Sequence, residues 1–481
     1  MKTSIIGAAY QARSPNIAAD RCINLSPEIK EDGSIDALYS GPGLPTYSTA
    51  ANNAAGSGIY VASNGRCFSV NGAVLYEIIA PVAPSTTPTM TSRGAITSGL
   101  VSRFTDNSLV MCIVNGINGY YYTFSTDTLT LISDADFPNG CGTIGFLDGY
   151  FIACDPNTQQ WYISGLYATD ATNSWATLDF SSSESQPDVN VGLIVDHREL
   201  WIFGETTTEG FSNTGKNATF PIERITGAVV QIGCAAQHSA AKLDNTVVWL
   251  GKSEQGSGVV YRLQGFTPTR ISTHGMEFAI QGYSTISDAR AFSYQDEGHH
   301  FYVLSFPTAE ETWVYDANTN MWHERHFYVD GEFTEWGVIG HAFFDNKHLT
   351  CSNDSGKIYE IDMDTHSNGT FANGDMKYRK WLRAWRMPNT EGKEVIIPRL
   401  TVDCEVGQGL TTGQGSDPQI MLRISRDGGH TFGPTRSKSL GALGNYKKRV
   451  FWDRNGRGRD VVFELSGTDP VRIAIKGAYL G

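Results

Sequence analysis

The sequence predicts an all-β protein: a β-propeller of six or seven blades followed by a small β-sandwich. Three observations carry this. No long stretch places apolar residues at the i, i+3, i+4, i+7 spacing of an amphipathic helix. Short apolar and aromatic runs end instead in Asn-Gly or Asp-Gly, as at Asn64-Gly65, Asn71-Gly72, Asn115-Gly116, Asn118-Gly119, Asn139-Gly140, Asp148-Gly149 and Asp330-Gly331. These pairs accept the positive φ angles of a two-residue hairpin turn. The hairpins also recur, at roughly the 40–55 residues that one four-stranded blade occupies.

Taken in order, the hairpin units begin near Gly58, Ser108, Gly145, Val191, Asn245, His299 and His341. A blade can bury its two faces only against neighbouring blades, so repeats of this kind close into a ring. In WVYDANTNMWHER, Trp313 and Tyr315 share a strand, the chain turns at Asp316–Asn320, and it returns through Trp322. CSNDSGKIYEID repeats the arrangement around Asp354 and Gly356. The polar run THSNGTFANGD then reads as a linker. Beyond it VIIPRLTVDCEV, QIMLRISRD, KRVFWD, DVVFELSG and VRIAIKGAYL alternate polar and apolar residues, as strands of a sandwich do. The expected division is an extended N-terminal segment over 1–50, a propeller over 51–364 and a basic sandwich module over 365–481.

The 481 residues are 40% hydrophobic and 18% charged, the composition of a folded chain. The net charge is −13, unevenly spread. Phe371–Gly481 holds 19 Lys and Arg against 11 Asp and Glu, and the preceding residues hold 18 against 39. An acidic body thus carries a basic module, which suits either unrelated domain surfaces or docking on acidic neighbours. The eight cysteines are scattered without a Cys-x-x-Cys pair, so buried reduced thiols are expected rather than a disulfide or metal framework. The N-terminus lacks the apolar run of a signal peptide, and no stretch approaches a membrane span. Folding in a cytosol, without membrane insertion, is the expectation.

SRDGGHTFG, Ser425–Gly433, fits the Asp-box pattern familiar from sialidases. Ser425, Asp427, Gly429, Thr431 and Phe432 are read as a structural hairpin turn, with Asp427 accepting backbone hydrogen bonds. Ser352, Asp354 and Gly356 form a degenerate copy with Tyr359 one residue late. A sialidase needs convergent arginines, a Tyr–Glu pair and an acidic proton donor. Acidic pairs such as Glu205 and Glu209 exist, but nothing in the sequence makes them converge. His323 and His326 lack the helical spacing of a zinc pair, and His299 and His300 point to opposite faces of a strand. No phosphate-binding glycine loop or nucleophile elbow is present. No enzyme activity and no cofactor are expected. The basic, aromatic run Lys377, Arg379, Lys380, Trp381, Arg383, Trp385, Arg386, with Tyr378 inside it, suits a subunit contact or a DNA backbone. Lys447, Lys448 and Arg449 open a second basic stretch with the same two readings.

Three stretches resemble one family. RCINLSPE (Arg21–Glu28) with LYSGPGL (Leu38–Leu44), ESQPDVNVGLIVDHRELWIFGE (Glu184–Glu205), and the closing strands from MLRISRDGGHTFG through NYKKRVFWDRNGRGRD to VRIAIKGAYL are similar to the packaged-DNA stabilisation proteins of short-tailed bacteriophages, also called tail hubs, nozzles or tail accessory factors. Gly41 stands where Thr is commoner, a small departure. The resemblance implies a structural virion protein, assembled in a bacterial cytoplasm into a hexameric tail ring. Such a ring lies below the portal–adaptor, extends the channel for double-stranded DNA, retains the packed genome and receives needle, plug, fibre or spike proteins. The alternative is a carbohydrate-binding or sialidase-like propeller that recognises a host surface.

Overall fold

The computed structural model describes residues 2–15, 17–29, 35–99, 101–216, 220–370, 377, 379–387 and 392–481. Tyr378 and the later part of the expected linker, 371–375, lie outside them. Among the described residues the regular secondary structure is all strand apart from one α-helix at His274–Gln281.

Seven antiparallel sheets built from successive strands occupy 56–95, 103–131, 144–182, 190–230, 233–270, 290–324 and 338–361. The seventh takes its fourth strand, Thr46–Thr49, from the N-terminal side of the first. That strand pairs with Lys357–Ile361 and fastens the end of the ring to its beginning. These are seven blades.

Period-two alternation explains why they pack as wedges. In the strand Val110–Val114 of the second blade, Met111 and Ile113 face Phe68 and Leu75 of the first. Val110, Cys112 and Val114 face Phe151 and Ala153 of the third. In the fourth blade Leu200 and Ile202 meet Trp161 and Ile163, while Trp201 and Phe203 meet Val247 and Trp249. Successive side chains of a strand point to opposite faces, so one apolar run serves two interfaces. Aromatic pairs such as Trp161–Phe211, with centroids 5.0 Å apart, fill the wider outer part of the wedge.

Some of the tight turns are those the sequence names, but Gly119 opens the strand Gly119–Thr123, Asn139-Gly140 lies between two blades, and further two-residue turns form at His197-Arg198, Asp244-Asn245 and Asp345-Asn346. Asp148 and Gly149 have φ of 49° and 99° and join strands paired at Leu147–Tyr150. Seven of the eight cysteines are buried, the eighth is half-buried, and all are free thiols.

The sandwich uses both ends of the chain. One sheet runs Leu25–Ile29, Ile35–Ser40, Ala474–Leu480, Arg399–Cys404, Val450–Asp453, with Lys2–Thr3 added beside Ala474–Leu480. The facing sheet runs Ala19–Ile23, Trp381–Arg386, Val462–Gly467, Gln419–Ser425, Arg436–Ser439. Residues 1–50, expected as one extended segment, are therefore divided between the sandwich and the seventh blade. Ile23 also pairs in parallel with Glu324 of the sixth blade, so propeller and sandwich share a continuous sheet.

Candidate functional site

Two regions gather the residues that the sequence singles out, together with residues that it does not. The first is the seam between sixth blade and sandwich; the second is the propeller axis.

At the seam, Asn24 sits with φ of 54° between two strands. Its side-chain amide donates to the carbonyls of His326 (2.9 Å) and Lys380 (2.7 Å), and its Oδ1 accepts from the His326 N–H (3.0 Å). One side chain thus satisfies backbone groups from blade and sandwich together. Arg21 ion-pairs with the buried Glu324. His326, fully buried, places Nε2 3.3 Å from Glu311 and 3.8 Å from Glu324. Burial alone would raise Glu324, but Arg21 and His326 outweigh it and hold the carboxyl down at about 2. Burial would likewise depress His326, yet Glu311 and Glu324 hold it up at about 9. Ligand atoms of Glu311, Glu324 and His326 lie within 4.8 Å of one another, the spacing of a metal site. Arg21 and a protonated His326 already balance the two carboxylates, so the arrangement is an ion-pair cluster.

The basic run lies against this seam and is mostly internal. Trp381, Arg383 and Trp385 are buried. Arg383 donates to three N-terminal carbonyls, those of Ile5, Ala8 (3.1 Å) and Arg21 (3.2 Å), and Trp385 Nε1 donates to Thr3 Oγ1 (3.1 Å). Lys377 is buried, 3.0 Å from Asp354 Oδ1 and 4.6 Å above the Phe327 ring. The degenerate Asp box is therefore a holder for Lys377. Arg379 donates to the Gly41 carbonyl, and Lys380 Nζ lies 4.2 Å from the Tyr328 ring centroid. Arg386, half-buried, pairs with Asp460 at 2.5 Å. The strand Trp381–Arg386 lies between Ala19–Ile23 and Val462–Gly467, where its cations fasten the N-terminus. Lys447 and Arg449 are exposed on a loop, with Lys448 beside them donating to Ser439.

The full Asp box joins two sandwich strands. Ser425 Oγ donates to Asp427 Oδ1 (2.6 Å) and accepts from the Gly429 N–H (2.8 Å). Asp427 also accepts from the N–H and hydroxyl of Thr431 (2.9 and 2.5 Å). Hydrogen bonds from Ser425 and Thr431 hold its carboxyl well below the usual range. Gly429 has φ of 104°, and the Arg423 guanidinium lies 4.9 Å from the Phe432 ring centroid.

The central signature builds a comparable cap. Asp188 accepts from the N–H groups of Thr206 (2.6 Å) and Thr207 (3.0 Å). A Cβ on Gly204 would fall 2.6 Å from its carboxylate, which is why that strand ends in glycine. Glu209 is buried, accepts from Ser185 and pairs with Arg224 at 2.7 Å, whereas Glu205 is exposed beside Lys252. The two carboxylates serve different partners.

At the axis, the innermost strands enclose two adjoining lobes of about 320 and 340 Å³. Both are lined by Tyr60, Arg103, Phe104, Ile194, Ala240 and Lys242. Arg290 lines the first. No Asp or Glu is among the described lining residues of either lobe. A third cavity, about 180 Å³ at the seam, is lined by Glu28, Asp296, Glu297 and Asp364 with His299 and Arg472. Burial and the neighbouring carboxylates push Glu297 up.

A family model described as bacteriophage P22 Gp10, beta-propeller, matches residues 1–366, and its companion, bacteriophage P22 Gp10, beta-sandwich, matches 380–480. The chain belongs to the bacteriophage P22 Gp10 family. The Gp10 propeller and sandwich models follow one another along the chain as the two folded parts do, and the family makes this a structural phage tail protein. No curated protein sequence matches at a level that counts as a relative. Solved structures with a similar course include a streptogramin B lyase (10% identity, TM-score 0.44, 67% of this chain and 98% of that one). The N-terminal domain of Nup159 is similar too (8% identity, TM-score 0.40, 72% and 99%), as is virginiamycin B lyase from Staphylococcus aureus (9%, 0.44, 66% and 98%). Likeness at this level says nothing about activity. No helix among the described residues is long and apolar enough to cross a membrane.

Proposed function

We propose that this Gp10-family chain is the tail hub, or nozzle, of a short-tailed bacteriophage. Six copies form a ring below the portal–adaptor, continue its DNA channel, retain the packaged genome and anchor needle, plug, fibre or spike proteins. The observation that carries the reading is the family match over propeller and sandwich in order. The fold supports it mechanically. Each blade edge is short and the ring is fastened by its own N-terminal strand, which suits a conduit under pressure. A closed cyclic ring needs two different patches meeting head to tail. The acidic body and the exposed Lys447–Arg449 loop supply patches of opposite sign. An acidic channel wall would repel DNA phosphates and let the genome slide.

The test is native mass measurement and negative-stain imaging of the purified chain, alone and with portal–adaptor complex. Six-fold rings seated on the adaptor are expected. A chain that stays monomeric on that platform would remove the reading.

A further inference from the structure

The propeller axis carries a positive charge that the protein itself does not answer. Arg103 stands on the innermost strand of the second blade and lines both axial lobes. Its Nη2 donates to the His238 carbonyl (2.9 Å), and its Nε lies 3.4 Å from His238 Nδ1. His238 lies between the fifth blade's strands Gly233–Cys234 and Ala241–Leu243 and bridges to Arg290 of the sixth. Arg103 therefore reaches across the bore. Among the described residues it has no carboxylate within ion-pair distance, in a chain with 50 Asp and Glu against 37 Lys and Arg.

Two more cations share the space. Lys242 lines both lobes; its side chain is exposed and holds a loose ion pair to Asp196 at 3.8 Å. Arg290 pairs with Glu335 through Nη2, but its buried Nε has no hydrogen-bond partner. His238 does not add charge: burial and the two neighbouring guanidiniums hold it down at about 3, so it stays neutral. Burial also lowers Arg103 to about 10, the sign of a guanidinium desolvated without compensation. A strut across the bore could have been built from a neutral amide. A guanidinium placed there leaves a half-buried charge that no carboxylate among the described residues pairs with and that an anion would meet.

We propose that the axial cavity binds a small tetrahedral oxyanion of the phosphate or sulfate class, held by Arg103 with Lys242 and Arg290 around it. Cations approaching from the second, fifth and sixth blades suit an ion that offers acceptor oxygens in several directions. Each lobe is within the range of small-ligand pockets and has room for the ion together with ordered waters. The site is separate from the tail-assembly reading and does not depend on it.

Equilibrium dialysis of the full chain against labelled inorganic phosphate, at constant ionic strength set with sodium chloride, tests this. Saturable binding of about one equivalent is expected, with a matching rise in thermal midpoint and competition by sulfate. Arg103→Met should lose about tenfold or more in affinity, the usual consequence of removing a charged hydrogen-bond donor. Arg103→Lys should lose less, and Lys447→Met on the exposed loop nothing. No saturable binding to the wild-type chain, or a phosphate effect that chloride reproduces, would overturn the proposal whether or not Arg103→Met folds. Equal binding by wild type and a folded Arg103→Met would overturn it too.

Discussion

Single side chains at the seam do what a larger interface does elsewhere. Arg383, Asn24 and the Arg21–Glu324–His326–Glu311 cluster tie three separate parts of the chain together through hydrogen bonds and ion pairs. The cluster's pH behaviour follows from its shifts. Glu324, held down at about 2, contributes stability above about 4.5 that fades as pH falls toward 2. His326, held up at about 9, contributes fully below about 6.5 and loses that contribution as pH rises through 9. Its shift corresponds to ~3 kcal/mol of linkage. His238, His323 and His341, each held near 3 by burial first, act in the opposite sense, costing stability as pH falls below about 6.5. A difference between wild type and variant isolates His326. Urea unfolding from pH 6 to 9.5 should show wild-type stability falling and His326→Gln falling less, the two curves converging at the alkaline end. Parallel curves would show that His326 is not protonated in the folded protein.

Strands and turns depend on a few backbone approaches that admit no side chain. Gly43 lies where LYSGPGL passes the strand end after the seventh blade, and a Cβ there would fall 2.3 Å from the Thr365 carbonyl oxygen and 2.6 Å from that of Ser367. Both are backbone atoms and cannot swing aside. Gly41, two residues earlier, would bring a Cβ only to 3.4 Å from the Asn24 carbonyl, so a side chain fits there. Gly43→Ala is expected to cost about 1–3 kcal/mol or more, because it pushes on the segment that leads into the closing strand. Gly256→Ala is the control: no atom lies within 4 Å of its Cβ position, and unfolding midpoints should place it within about 0.5 kcal/mol of wild type. Equal effects at both positions would show that the Gly43 approach is not tight in solution. The lone helix shows what pattern reading misses. His274–Gln281 is too short to display a period, yet its start is marked: Thr273 Oγ1 accepts from the Met276 N–H. Gly275 lets it approach Gln11, whose carbonyl would lie 2.6 Å from a Cβ.

At the scale of the whole molecule, the propeller's boundary falls inside the N-terminal segment rather than before it. Ile23, Leu25 and Leu38 are fully buried in the sandwich or its seam, although the family's propeller model begins at residue 1. A fragment spanning 1–366 therefore keeps strands whose partners, Trp381–Arg386 and Ala474–Leu480, have been removed. A fragment spanning 46–370 keeps the closing strand and discards the orphaned ones. Size-exclusion chromatography should show 1–366 aggregating through its unpaired edges and 46–370 eluting with a larger monomeric fraction. The reverse order would mean that the N-terminal strands belong energetically to the propeller. Sequence signals had no means of placing this boundary: Ala19–Ile23 and Ile35–Ser40 are ordinary short runs, and their sandwich partners, Trp381–Arg386 and Ala474–Leu480, lie more than 350 residues away.

The all-β class and the recurrence of hairpin units are local properties, set by side-chain alternation and by residues that tolerate positive φ, and the chain states them by itself; the choice between six and seven blades is made only where Thr46–Thr49 completes the last sheet. The Asp-box turn is local too, closed by groups within seven residues of one another. What the basic run does is not local. Arg383 and Trp385 carry the chemistry of a contact surface, and only their placement between Ala19–Ile23 and Val462–Gly467 turns them inward to hold the N-terminus. The cationic axis is likewise a product of closure. Arg103, Lys242 and Arg290 are scattered in the sequence and meet because each lies on or beside an innermost strand of a ring. Pattern along a strand fixes which way a side chain points, but only the closed ring fixes what it points at.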